Sequence, residues 1–402
     1  MRAPDATPTT DVLVDEALSL AGGLNRPLRY VQINSFYNGS TGAVMRNLHR
    51  SLSSRGVDSY IFWGRRHETV SDHEQCCATR LGYLSHGAMA RLDDRAGFHS
   101  KRDTARLLEK LDEIDPDVVH LHNLHGYYVN VEMLFGWLAS HRCQVRWTLH
   151  DCWAFTGHCP HFQYAGCNRW KDGCHDCPQK GGYPASYLFD SSKHNWEDKR
   201  RVFTSVPPER MTLITPSHWL EGLLKDSFLK SYPVEVRHNT VDATVFKPTP
   251  GDFRERHGIG DRFMVLGVAS PWTERKGLGD FVRLTRELSA ERFAIVLVGL
   301  SEGQIKALPG GVIGLARTGS PRELAEIYTA ADVFLNSTRE DNFPTVNLEA
   351  QACGTPVVTY DVGGCAETLF FSNSFAVTCF EEALQTIEAM SSMDRLHEES
   401  DV

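Results

Sequence analysis

The chain of 402 residues predicts an α/β protein made of two doubly wound, Rossmann-like domains facing each other. Three observations carry that expectation. Short apolar runs of strand length alternate with stretches of helix length, the pattern of parallel sheets covered on both faces. The alternation comes in two series, parted by the polar stretch 239–262. The loops after the apolar runs gather glycines, histidines and charges, where such sheets place their ligands. The expected division is a flexible leader over 1–27, a first domain over 28–245 and a second over 246–402.

The leader lacks a basic start, and Asp15 and Glu16 break its apolar part, so it reads as a loose segment and not a signal peptide. LRYVQIN (28–34) is a buried strand, FYNGSTG a loop, and AVMRNLHRSLSSRG a helix closed by Gly56. SYIFWG, VVHLHN and VRWTLHD are strands, with NVEMLFGWLAS a helix between the last two. A cysteine-rich insertion over 152–184 follows, then a polar helix (191–203), MTLITPS, a helix from Trp219 and PVEVRHN. The second series runs FMVLGVA, helix 278–289, FAIVLVGL, VIGLART, helix 321–331, DVFLNST, helix 344–353, PVVTYDV and a closing helix at 380–393.

A formal charge of −9 argues against nucleic acid as a partner, because that affinity rests on clustered Lys and Arg. No run of 18 apolar residues is present, so no spanning helix is expected. A cytoplasmic location follows as the default expectation.

The richest stretch is DNFPTVNLEAQ, residues 341–351, which sets Asp341 and Glu349 across a helix start. Pro344 suits the first helical position, and the free N–H groups of that turn can receive an anion. Taken alone, an acidic pair here is an ordinary dipole-favoured surface feature. The loop SPWTERKGLGDF adds Lys276, with Arg275 beside it, at another helix start after a strand. An ammonium next to free N–H groups suits a diphosphate, and both loops belong to one sheet end. Gly39 and Gly42 give a loop after the first strand that could close over phosphate or acceptor, but they do not form G-x-G-x-x-G. Of 18 histidines, His150, which ends a strand and precedes Asp151, is the best candidate for contact with a sugar. His120, His122 and His125 read as packing or as residues that support the site.

Cys159, Cys167, Cys174 and Cys177 lie in the insertion. A C-x-x-C pair with two cysteines upstream suits tetrahedral zinc; disulfides and plain buried thiols are the other readings. The H-x-E partner of zinc deaminases is missing, so a metal here would be structural.

These loops, taken together and in order, resemble the retaining glycosyltransferases of family four, from about Leu28 to about Glu388. The resemblance rests on the carboxylate pair ending in LEAQACGTPVV, the RKG loop, TPSHW, HNTVD and the GG-x-x-E of Gly363 to Glu367. HDCWAFTGHC, with the C…W…GC-x-x-CP segment after it, is similar to bacterial colanic-acid and exopolysaccharide enzymes. The resemblance implies the GT-B fold, with two Rossmann-like domains facing across a cleft. It implies a nucleotide-diphosphate sugar donor in the second domain and a glycan or polyprenyl-linked acceptor, with peripheral contact at the inner membrane. By the same resemblance Lys276 and Arg275 hold the diphosphate, Glu349 the ribose, and Asp341 the donor sugar with the N–H groups of Asn342 and Phe343. His150 and the Gly39–Gly42 loop meet sugar and acceptor. Asp341, His150 and Lys276 are the catalytic candidates, and no cofactor is implied for catalysis. Pro271 stands where many members have Arg, Asp341 where Glu is usual, and the chain ends soon after helix 380–393, short of the family's long return helix. A catalytically weak, zinc-stapled binding protein and a sugar-nucleotide epimerase are the alternative readings.

Overall fold

The computed structural model describes residues 9–65 and 68–400, with side chains through Met393. It divides into two compact units, Met1–His238 and Asn239–Val402. The division falls at the first residue of the polar stretch 239–262.

The first unit runs α1 (Thr9–Ala21), β1 (Arg29–Phe36), α2 (Ser40–Ser54), β2 (Asp58–Arg65), β3 (Glu74–Cys76), α3 (Arg80–Asp93) and α4 (Lys101–Ile114). It continues with β4 (Val118–Leu121), α5 (Val131–Ser140), β5 (Gln144–Thr148), α6 (Ser192–Phe203), β6 (Met211–Thr215), α7 (His218–Lys225) and β7 (Val234–Val236). Its strands pair in the order β3-β2-β1-β4-β5-β6-β7, all parallel. Val31, Ile33, Val119 and Leu121 are fully buried, as a sheet covered on both faces requires.

The second unit runs α8 (Phe253–Arg256), β8 (Phe263–Val268), α9 (Leu278–Glu287), β9 (Phe293–Val298), α10 (Glu302–Ala307), β10 (Val312–Leu315) and α11 (Pro321–Ala330). Then come β11 (Val333–Asn336), α12 (Thr345–Ala352), β12 (Val357–Tyr360), β13 (Phe375–Val377) and α13 (Phe380–Ser400). Its parallel sheet is ordered β10-β9-β8-β11-β12-β13. Both units are thus doubly wound, as expected.

Two expectations need correction. The leader is not loose over its described part: α1 buries Leu13, Val14 and Ala17 against Leu28, Tyr30, Leu48 and Leu52. Glu16, which seemed to interrupt the apolar run, pairs with Arg146 at 2.7 Å and Arg237 at 2.9 Å. Residues 1–8 of that leader lie outside the described residues. The sequence reading also passed over α3 and α4. In α3 the buried positions are His86, Gly87 and Ala90, while Leu81, Leu84 and Leu92 point to solvent. Its apolar stripe faces away from the core, so periodicity gave no inward signal.

Candidate functional site: the carboxyl ends of the two sheets

In the second unit the chain leaves β8 on one side, for β9 and β10, and returns on the other as β11. The gap between β8 and β11 is the topological switch point, where their outgoing loops diverge and leave a crevice. The loop after β8 ends in a tight turn, Glu274–Lys276, and Gly277 then starts α9. Gly277 has φ 75°, and a Cβ there would lie 2.2 Å from the Ser337 carbonyl. Only glycine lets the two loops meet this closely. They are stitched by Arg339 N–H to the Arg275 carbonyl (2.7 Å) and Ser337 Oγ to the Gly277 carbonyl (3.1 Å).

This stitching brings Lys276 Nζ to 2.6 Å from Asp341 Oδ2, across a sequence separation of 65. Both side chains are about a quarter exposed, so the ion pair sits at a mouth and not in a core. Arg275 Nη1 donates to the carbonyl of Glu340 at 3.1 Å, and the Glu340 side chain is almost wholly buried. The loop after β12 completes the wall. Gly363 (φ 60°) would place a Cβ 1.9 Å from the Asp341 carbonyl, and Gly364 N–H donates to that oxygen at 3.2 Å.

Helix α12 begins one residue later than expected: Pro344 caps it at φ −67°, ψ 115° and is not its first residue. The helix is fixed by a buried amide network. Asn336 Nδ2 donates to Asn347 Oδ1 (2.9 Å), and Asn347 Nδ2 donates to Thr368 Oγ1 (2.8 Å). Gln351 donates to the Thr368 carbonyl (2.7 Å) and accepts from the N–H groups of Phe370 and Phe371. Such satisfied polar networks hold one geometry. Glu349 follows on this rigid helix with Tyr328 donating to its Oε2 at 3.1 Å. Burial raises the Glu349 carboxyl above its ordinary range, opposed by the hydroxyls of Tyr328 and Thr345. The Asn342 amide donates to Asp341 Oδ1 at 2.9 Å, and Phe343 is buried with its carbonyl accepting from Asn239. Lys276, Arg275, Asp341 and Asn342 are thus in one knot, and Glu349 stands on the adjoining helix with its own partners.

The first unit has its switch point between β1 and β4. Gly39, at φ 88°, caps α2. Gly42 lies inside the first turn of that helix and not in a loop, because a Cβ there would meet the Tyr37 carbonyl at 2.1 Å. The expected flexible loop over both glycines is therefore shorter than the sequence suggested.

Beside it His120, His122 and His150 stack, with ring centroids 4.4 Å and 5.5 Å apart. His122 Nδ1 lies 3.2 Å from His150 Nε2, and His122 Nε2 lies 3.2 Å from Gln32 Oε1. Gln32 donates its amide to the Met45 carbonyl, so its oxygen accepts from His122 Nε2–H. The network then assigns His122 Nδ1 as acceptor and His150 Nε2–H as donor, which fixes the tautomer of His150. Burial lowers His150 to about 4, opposed by the Asp151 charge. His120 falls to about 3 and His122 well below its usual value, also through burial. The cluster is neutral at pH 7. Asp151, which follows His150 in the chain, bonds His125 Nε2 at 2.7 Å and caps Trp153 N–H. Burial would raise its carboxyl, but His125 holds it down at about 2.

Sequence reasoning left His122 as packing or as support for the site, and did not single out Gln32. The signal was available: His120 and His122 alternate on one strand, so both rings share one sheet face. In the insertion, Cys159, Cys167, Cys174 and Cys177 line one small cavity, and none of these four is in a disulfide.

Residues 262–391 match the family model described as "Glycosyl transferases group 1". The chain is 26% identical over 368 residues to the colanic acid biosynthesis glycosyl transferase WcaC of Escherichia coli K12, covering 87% of each. Among solved structures it is similar to sucrose-phosphate synthase from Thermosynechococcus elongatus, with a TM-score of 0.66 at 16% identity over 91% of this chain and 90% of that one. It is also similar to HepE of Anabaena in complex with UDP-glucose, with a TM-score of 0.55 at 14% identity over 90% and 89%. The doubly wound pair of sheets is the GT-B fold of these structures. Residues 262–391 therefore form a group 1 glycosyl transferase domain, and the chain is a glycosyltransferase built on GT-B units.

Proposed function

We propose that the protein transfers a sugar, with retention of anomeric configuration, from a nucleotide-diphosphate sugar to a glycan or polyprenyl-linked acceptor in surface-polysaccharide synthesis. The Lys276–Asp341 pair at the β8/β11 switch point carries this reading. A diphosphate arriving there competes with Asp341 for the ammonium and frees the carboxylate to face the sugar. Lys276, with Arg275 beside it, then stabilises the charge that grows on the departing phosphate oxygen. That oxygen takes the acceptor proton on the face it leaves, so no protein nucleophile is needed. Glu349, partly buried on a fixed helix, orients the ribose hydroxyls. His150, neutral and donating its Nε2–H to His122, would accept a hydrogen bond from a sugar hydroxyl at its other ring nitrogen, where a cation would instead compete for the phosphate. The UDP-glucose complex of the HepE relative supports a nucleotide-sugar donor, and the name of the WcaC relative supports the polysaccharide setting.

A lipid-linked acceptor is supported by one face of the first unit. Leu81, Leu84 and Leu92 line the solvent side of α3 at helical spacing. Tyr187, Leu188 and Phe189, each more than 60% exposed, are tied to it through Tyr187 N–H to the Arg91 carbonyl. Arg80 and Arg91 are exposed on the same helix, an arrangement suited to an anionic membrane surface. No helix among the described residues is long and apolar enough to cross a membrane, so contact at the cytoplasmic face would be peripheral.

The test is a panel of nucleotide sugars, read by thermal shift and then by turnover with lipid-linked acceptors. One donor that binds and is consumed only with acceptor is expected. Donor binding without transfer to any acceptor would favour a binding protein, and sugar interconversion without acceptor would favour an epimerase. Sedimentation with anionic vesicles, lost in Leu81→Glu with Phe189→Glu, checks the membrane face.

A further inference from the structure

From Thr156 to Ser191 the chain forms no helix or strand. Irregular segments this long inside a compact unit need something to hold them. Buried Phe155, Phe162 and Trp170 supply part of that, and the cavity they flank supplies the rest.

His158 is 2% exposed and lines that cavity with the cysteines. Its Nδ1 is engaged by Asp94 Oδ1 at 2.5 Å, while its buried Nε2 has no hydrogen-bond partner among the described residues. A carboxylate on one ring nitrogen, with the other left to the ion, is how metal-binding histidines are oriented. Orphaned buried polar atoms are costly, so this nitrogen calls for a ligand.

The sulfurs agree. Cys174 Sγ accepts the Gly157 N–H at 3.1 Å, which fixes where that sulfur points. Gly157 can approach because it lacks a side chain: a Cβ would lie 2.7 Å from Cys174 Cβ.

Lys199 gives the third line. It is 1% exposed and its ammonium bonds the carbonyls of Trp153 (2.8 Å) and Thr156 (3.0 Å), 3.4 Å from the Trp153 ring centroid. Among the described residues no carboxylate forms an ion pair with it. Buried charges are otherwise paired. Three thiolates around a divalent ion leave a net charge of about −1, which one ammonium offsets.

We propose that His158 Nε2 and the sulfurs of Cys159, Cys174 and Cys177 form a structural zinc site, with Lys199 as its buried counter-charge. His158 thereby replaces Cys167 in the ligand set that the cysteine spacing suggested. The donors line the cavity without converging on one point, so the ion draws the segment closed. Binding releases the thiol protons as the bonds to zinc form. The inference is independent of the transfer reaction.

The test uses the full chain, purified reduced and without chelators, with metal content measured by mass spectrometry. One zinc per chain is expected, and cobalt(II) in its place should give the visible and charge-transfer absorption of a tetrahedral thiolate site. Folded protein that holds no zinc and takes up no cobalt overturns the proposal, as does a Cys159–Cys177 disulfide in the folded protein. His158→Gln and Cys177→Ser are expected to lose the metal and Cys167→Ser to keep it; the reverse pattern overturns the ligand set. Should those variants fail to fold, the wild-type metal content and cobalt spectrum decide alone. Lys199→Met is expected to speed zinc release to a chelator by on the order of tenfold, the scale of outer-shell partners. An unchanged release rate removes Lys199 from the site.

Discussion

Replacing Lys276 by Met keeps the stem of the side chain and removes its charge. In the free protein the loss is small. The Lys276–Asp341 pair is about a quarter exposed on each side, and such pairs contribute roughly 0–1 kcal/mol. A loss of that size shifts the melting temperature by about 2–4 °C in a unit of this size. Catalysis should suffer much more. One charge-assisted hydrogen bond to the diphosphate is worth about 1.5–3 kcal/mol, with the upper end expected as the leaving oxygen gains charge. About 3 kcal/mol corresponds to a loss of roughly 150-fold in kcat/KM. The assay is initial-rate kinetics with the donor found by the nucleotide-sugar panel, alongside a melting curve. A double variant with Asp341→Asn separates two roles for the carboxylate. If Asp341 only holds the lysine, the double variant is no slower than Lys276→Met; if it also faces the sugar, the double variant is slower. A kcat/KM within twofold of wild type in Lys276→Met refutes the placement of the diphosphate.

Glu349→Ala should raise the dissociation constant for the nucleotide by about 10–150-fold, the range of a bond to a charged group, measured by titration calorimetry. Gly363→Ala should lower stability by about 1–2 kcal/mol for the left-handed backbone alone and impair turnover as well, because its Cβ pushes the Asp341 carbonyl out of the pocket wall. Stability should also depend on pH through the histidine stack. His150 is lowered from 6.5 to about 4, so the unfolded chain binds the extra proton between those values. The contribution is fully present above pH 6.5 and is lost as pH falls toward 4. For His150 it reaches about 3 kcal/mol at most, and denaturant titrations of wild type against His150→Gln should converge over that window.

Much of this was legible without coordinates. Strand runs such as FAIVLVGL, short, apolar and β-branched, read as buried parallel strands, and Lys276, Asp341 and Glu349 stood out because charges clustered where strands end. Position in space was not legible. Lys276 and Asp341 are 65 residues apart, and what brings them to 2.6 Å is the strand order, which inserts β11 beside β8. Pairing of distant strands is a property of the whole sheet, not of any window of sequence. The same holds for Asp151, whose neighbour in the chain is His150 but whose partner in space is His125. In α1 and α3 the local pattern misled for opposite reasons. Glu16 looked like an interruption until Arg146 and Arg237 arrived to neutralise it, and α3 was passed over because its leucines face outward.

Residue chemistry and spacing alone determined the two doubly wound units, the charged loops and the kind of ligand they suit. Only the tertiary structure decided which of those groups meet, which tautomer His150 holds and which nitrogen of His158 is left wanting a partner. Periodicity is written into a few consecutive residues, whereas burial and pairing depend on what the rest of the chain brings alongside.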